Sequence, residues 1–249
     1  MSGAAGPRRA PPGMPRRVWP AVVAAIPVLV ILLGLGTWQV GRLRWKTALL
    51  ADIAAAEAGP PRSLDAPPGA APPEFAKLAV AGRFLHDHEA LLGLEVRGAT
   101  LGGRLLTPFA TSPGGGAPRT ILVDRGWVPV DRPTASVTHP EGEVRVTGYV
   151  VLPEARDRFA ARDDTAGRRF YTLDPAAIGA GLGLPAVEPY LLVALREPGA
   201  PNGALPDPAR VLPRPRNSHL GYAITWYGLA ASLVGVLIAW IVARRRGTA

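Results

Sequence analysis

The chain has 249 residues, 48% of them hydrophobic, no cysteine, and 28 basic against 19 acidic residues, for a formal net charge of +9. No disulfide can staple a small domain, so redox chemistry does not reveal the compartment. Arg8, Arg9, Arg16 and Arg17 lie in the first 17 residues and Arg244, Arg245 and Arg246 in the last six; without those seven, 21 basic residues face 19 acidic ones. The positive excess therefore belongs to two short tails. This argues against a nucleic-acid-binding domain and for tails held at an anionic membrane leaflet.

Val18 to Gly41 is the first charge-free stretch and Leu220 to Ala243 the second, each of 24 residues. About 20 helical residues cross a hydrocarbon core, so both are long enough to span. The first is too long for the apolar core of a cleaved signal peptide, and no small-residue cleavage site follows it; it reads as a retained anchor. Pro20 and Pro27 are expected to bend its early half.

Lys46 to Ala58 has good helix-forming composition and is stopped by Gly59-Pro60-Pro61, so the first membrane helix is expected to continue outward. A Pro/Ala linker follows to Pro73. Short apolar runs then predict strands over Lys77–Phe84, Ala90–Val96, Arg104–Ala110, Thr120–Val128, Glu143–Val151 and Tyr190–Arg196. Gly, Pro and Asp clusters such as Ser112-Pro113-Gly114-Gly115-Gly116 separate them. Asp174-Pro175 predicts the N-cap and first position of a short helix ending near Gly179 or Gly181. Pro198 to Pro215 is a proline-rich tether.

The fold class is membrane α+β, with two transmembrane helices flanking a β-rich extracytoplasmic domain. The boundaries are a cytoplasmic basic tail at 1–17, a first transmembrane helix at 18–41, a periplasmic domain at 42–216, a second transmembrane helix at 217–243 and a cytoplasmic basic tail at 244–249. The positive-inside rule supports this orientation by a narrow tally, seven cationic residues on the tails against six on the outer flanks. The short Pro-rich leader abutting the span fits a bacterial inner membrane better than an organelle transit peptide.

The second span opens on His219, the one histidine near either membrane segment. An ionisable or metal-binding group at the hydrocarbon edge is a functional-site candidate by default. His219, Tyr222, Ala223 and Trp226 share one helix face if the helix has begun by His219; Trp38, Arg42 and Trp45 share another. Both clusters fall at the outer membrane edge. One reading is an interfacial aromatic belt, with arginine snorkelling beside it. The other is a haem or metal site. A helix N-terminus favours the neutral imidazole that binds iron, the aromatics would pack a macrocycle, and Arg42, Arg44, Arg214 or Arg216 would neutralise propionates. Without a second nearby His or Met, an iron on His219 would be five-coordinate or shared between two copies.

Gly221, Gly228 and Gly235 recur every seven residues on the second span, with Ser232 between the last two; Gly34 and Gly41 recur on the first. Small residues allow close helix contact in lipid. Either the glycine stripes pack the two spans together, or the aromatic faces meet and the stripe is free. In both cases one specialised face is left over, which predicts an intramembrane partner.

Outside the spans, His86-Asp87-His88 would place two imidazoles on one face of a strand, a metal-binding pattern with no third ligand near in sequence. A polar hairpin tip is the plainer reading. Asp124-Arg125 reads as a structural ion pair at a strand end or, less simply, as a catalytic pair. No nucleophile elbow, phosphate loop, zinc spacing or redox cysteine pair is present, so the chain is read as a non-enzyme.

Leu35-Gly36-Thr37-Trp38-Gln39-Val40 with Arg42-Leu43 and Trp45-Lys46 resembles the first-span signature of the surfeit locus protein one family of cytochrome c oxidase assembly factors. Thr107-Pro108-Phe109, Val123-Asp124-Arg125-Gly126-Trp127-Val128-Pro129 and Asn217-Ser218-His219-Leu220-Gly221-Tyr222-Ala223-Ile224-Thr225-Trp226-Tyr227 are similar to its other markers, in the same order. Ser218 and Tyr227 stand where many members have Asn and Phe. The resemblance implies a two-span inner-membrane protein that binds haem a transiently, with His219 as iron ligand, and aids its insertion into the catalytic subunit of haem-copper oxidase. On that reading Trp38, Tyr222 and Trp226 line the pocket and Arg42 or Arg216 meets a propionate. The catalytic subunit is the implied partner, with haem a synthase, membrane lipid and a second copy of the chain as further candidates and no nucleic acid. The alternative is a membrane scaffold that binds oxidase subunits without touching haem.

Overall fold

A computed structural model describes residues 18–111, 118–131, 136–155, 160–201 and 203–246. The basic residues Arg8, Arg9, Arg16 and Arg17, and the turn at Ser112 to Gly116, lie outside the described residues. The rest divides into two compact units, one up to Ala51 together with Pro215 onward, the other Asp52–Arg214.

The first unit is helical. α1 runs unbroken over Trp19–Ala58, 40 residues, or roughly 60 Å at the rise of an α-helix. Pro20 falls in its first turn, where no intrahelical N–H is needed, and Pro27 is accommodated inside it. The helix continues past the apolar stretch, as its Lys46–Ala58 composition predicts. The last helix, called α3 because a short α2 precedes it in the chain, covers His219–Arg246 and ends on Arg244, Arg245 and Arg246. Those cations sit where a helix C-terminus favours positive charge, and Arg244 stacks 5.0 Å from the Trp240 ring centroid. Both helices are long and apolar enough to cross a membrane, and only 6% of each apolar window is buried. The chain is a two-span membrane protein with a β-rich domain between its spans.

The second unit is built on seven strands, β1 Lys77–Phe84, β2 Ala90–Arg97, β3 Thr100–Thr111, β4 Thr120–Pro129, β5 Val144–Val151, β6 Arg169–Phe170 and β7 Leu191–Ala194. α2 covers Pro175–Gly181, with the Asp174 side chain accepting from the Ala177 N–H, as expected of that N-cap. The sheet order is β1-β5-β7-β4-β3-β2-β6, and β1 also pairs with β3 through Gly82–Thr111, Arg83–Ala110 and Phe84–Phe109. Five strands therefore close into a ring, with the β2–β6 pair as an extension. Closure removes open edges from those five strands.

The ring is filled by alternating side chains: Leu78 and Val80, Phe109, Ile121 and Val123, Val146 and Val150, Tyr190 and Leu192. Gly82 sits at the seam because a Cβ there would fall 2.2 Å from the Ala110 carbonyl oxygen. Within this unit, which begins at Asp52, the Lys77 ammonium donates to the Glu57 and Gly59 carbonyls.

Candidate functional site

α3 begins at His219, so His219, Tyr222, Ala223 and Trp226 do share a helical face. The two spans do not meet through their glycine stripes. The contact uses Gly36, Thr37 and Gln39 of α1 against His219 and Tyr227 of α3, while Trp38 and Tyr222 stay exposed. A Cβ on Gly36 would lie 2.9 Å from the Tyr227 ring, whereas Gly34, Gly41, Gly221, Gly228 and Gly235 have open space. The Tyr227 and Thr37 hydroxyls are 3.1 Å apart, so each has a partner across the helix pair. Ala223 and Ala230 are each only 3% exposed. This corrects the packing through glycine stripes; of the other alternative, His219 meets α1 and the stripe is free, but Trp38 and Tyr222 take no part. Gly36 is the small residue that admits the neighbouring helix, and the stripe lies free.

His219 Nδ1 lies 2.7 Å from the Gln39 amide oxygen. An amide oxygen only accepts, so Nδ1 carries a proton, and the tautomer this selects has its lone pair on Nε2. Gln39 is 9% exposed, and sequence reading missed it. The available signal was a lone amide in an apolar span, which is costly in lipid unless paired.

The other expected site residues are placed differently. Arg42 stacks between Trp38 and Trp45, 5.9 and 5.0 Å from their centroids. Both indoles and Tyr222 remain more than half exposed. Trp226 is half-buried and Arg216 exposed. Gln39 and His219 are thus brought into contact, while Trp38, Arg42 and Trp45 form a stack of their own. Asn217 donates to the Thr47 hydroxyl just before α3 starts.

In the strand unit, Asp124 and Arg125 do not pair with each other. Successive strand residues point to opposite faces, and each finds its own partner. Asp124 is bound by Arg104 at 2.5 and 2.6 Å and accepts from the Gly126 N–H. Burial pushes the Asp124 carboxyl up, and Arg104 is the largest influence opposing it. Burial works against charge on Arg104, yet Asp124 outweighs it and holds Arg104 above its ordinary value. Arg125 reaches Glu89 at 2.9 Å and also donates to the Thr138 carbonyl.

Gly126 has φ +125°, and a Cβ there would meet the Asp207 carbonyl at 2.2 Å. Trp127 covers Gly102 and donates to the Glu95 carbonyl. The Asp-Arg-Gly-Trp segment is thus a junction of strands. Its catalytic reading has no support in this geometry.

His86 and His88 sit on a 3-10 turn, not on one face of a strand. His88 Nδ1 approaches the Leu182 carbonyl, while His86 faces Glu89 and His139. The expectation that His86 has no further ligand near in sequence fails, because Glu89 is three residues away.

A profile of the SURF1 family matches residues 26–231. The chain belongs to that family. It is 32% identical over 238 residues to a SURF1-like protein of Monosiga brevicollis, covering 90% of this chain and 87% of that one. It is 32% identical over 230 residues to surfeit locus protein 1 of Homo sapiens, covering 85% and 73%. With the Mus musculus protein the identity is 34% over 217 residues, covering 80% and 68%.

Proposed function

We propose that this chain is a non-enzymatic assembly factor of haem-copper oxidase that holds haem a on His219 before its insertion into the catalytic subunit. The observation that carries this reading is the Gln39–His219 hydrogen bond. Ligating histidines ordinarily donate their second ring N–H to an oxygen, which fixes the tautomer and raises ligand basicity. Gln39 is such an oxygen, and the residues present therefore fit an imidazole-bound haem. Tyr222 and Trp226 lie on the His219 face, and Arg42 and Arg216 are exposed cations able to meet carboxylates. A haem on one imidazole is cargo held for transfer. The tail charges support an inner-membrane setting with both termini cytoplasmic.

The test is purification after co-expression with a haem a pathway. Wild type should carry a haem a spectrum, and His219→Ala should be colourless with its helix pair intact. Colourless wild type that still binds oxidase subunits would establish the scaffold reading instead. The open Gly221–Gly228–Gly235 stripe supports that second reading, since close approach by a partner helix needs small residues. Gly228→Leu with Gly235→Leu should then abolish co-purification of the oxidase subunit.

A further inference from the structure

We propose that His86, Glu89 and His139 form a binding site for one divalent metal ion of the zinc class, in the strand unit and independent of the haem reading. The ring nitrogens and the carboxylate of these three residues all lie within 4.8 Å of one another. His86 follows β1, Glu89 closes the 3-10 turn after it, and His139 comes from the segment between β4 and β5.

The tautomers carry the inference. His86 Nε2 lies 3.0 Å from the Pro140 carbonyl, and His139 Nδ1 lies 2.9 Å from the Val137 carbonyl. Carbonyl oxygens only accept, so those two nitrogens hold the protons. In the neutral rings His86 Nδ1 and His139 Nε2 are then bare, and each faces a Glu89 oxygen at 3.3 Å. Two nitrogen lone pairs aimed at one carboxylate repel it unless a positive centre stands between them. A backbone carbonyl on the far nitrogen is the support that metal-ligating imidazoles use.

Two centres could supply the charge. Protonating both rings puts two imidazolium groups with centroids 4.7 Å apart, where like charges oppose each other. A single ion supplies the charge once and bonds all three groups. Tetrahedral zinc, with bonds of about 2.0–2.1 Å to imidazole and carboxylate, holds its ligands roughly 3.3 Å apart. The His139 Nε2–Glu89 Oε2 separation of 3.3 Å matches that spacing, and the other ligand atoms lie within 4.8 Å, so closing on one ion needs a shift of about an ångström.

Arg125 and the Thr107 hydroxyl both bond Glu89 Oε1. Among the described residues, Oε2 faces only the His139 ring, so it is the oxygen left for the ion. Two imidazoles with one carboxylate suit zinc and, next to it, copper(II). The three side chains are 17–31% exposed, so the fourth coordination position opens to solvent.

The test uses tag-free full-length protein in detergent, stripped with a chelator and titrated with Zn²⁺ at neutral pH. One ion per chain is expected, with affinity falling at least about tenfold in His139→Gln and further in His86→Gln/His139→Gln. His88→Gln and His219→Ala should bind like wild type, so loss of the haem reading leaves this result untouched. Cobalt(II) absorption of the wild type should report a tetrahedral nitrogen and oxygen set. It also serves if a variant fails to fold, as should a rise in melting temperature of the stripped wild type on adding Zn²⁺. Equal uptake by wild type and the double variant, or no uptake and no thermal shift in wild type, overturns the proposal and leaves protons as the occupants.

Discussion

The helix pair and the strand unit treat polar side chains in opposite ways. Between the spans each polar group meets one side chain of the other helix: Gln39 with His219, Thr37 with Tyr227, Thr47 with Asn217, the two threonines also donating to the Leu33 and Leu43 carbonyls of their own helix. In the strand unit one carboxylate meets several groups, with Glu89 bonded by Arg125 and Thr107 and facing the His86 and His139 rings. In an apolar span one bond orients a side chain and leaves its remaining valence available. In the strand unit shared bonds lock strands together, because an ion there is tolerable only when fully partnered. Function is therefore sought at the sparse contacts and stability at the dense ones.

The largest expected effect lies in the dense part. Arg104→Met leaves the Asp124 carboxylate buried without its counter-ion, which costs about 3–5 kcal/mol. Chemical denaturation of the full-length chain in detergent, followed by circular dichroism of the strands, reads it. A loss under 1 kcal/mol would mean that the Gly126 N–H alone satisfies Asp124. Next comes Gly126→Ala. Its φ of +125° and the Asp207 carbonyl 2.2 Å from any Cβ combine strain of about 1–3 kcal/mol with a backbone clash. The expected outcome is a lower melting temperature with the Arg104–Asp124 bond retained.

Much of this architecture was legible beforehand, for physical reasons. The spans showed because lipid demands long charge-free runs, and β1 and β5 showed because the buried ring demands alternation. β6 escaped because two residues carry no periodicity, and its parallel pairing with β2 is set by tertiary contact. At the site, His219 was visible as a titratable group at a hydrocarbon edge, but Gln39 was hidden among apolar neighbours 180 residues away. His139 escaped for the same reason: only the fold brings it to His86. The glycine stripes left two packings open because a seven-residue repeat marks a smooth helix face and does not say which helix fills it.

A smaller effect is expected from pH. Burial raises the Glu89 carboxyl, but the His86 ring, Arg125 and His139 together outweigh it and hold its pKa below the ordinary 4.5. The folded state therefore binds that proton less readily than the unfolded chain. Its contribution is complete above about pH 4.5 and is lost as pH falls through the folded value. Metal-free wild type should destabilise across that acid range more steeply than Glu89→Gln. Parallel pH slopes for the two proteins would show that Glu89 is not held ionised by its neighbours.

Gln39→Leu should give the smallest change in stability and the most informative one. Deleting one interhelical hydrogen bond in lipid costs about 0.6–2 kcal/mol, so the helix pair should persist, as fluorescence energy transfer between labelled spans would show. The imidazole, however, loses the oxygen that fixes its proton on Nδ1. Nitrogen NMR of His219 should then report a mixture of tautomers where wild type reports one. If haem a is held through Nε2, its affinity should fall roughly 10–100-fold, the usual effect of removing a ligand's supporting partner. An unchanged tautomer with unchanged haem retention would reduce Gln39 to a packing residue and remove the link between this contact and cargo binding. A changed tautomer with unchanged haem would locate the iron ligand elsewhere while leaving the hydrogen bond secure.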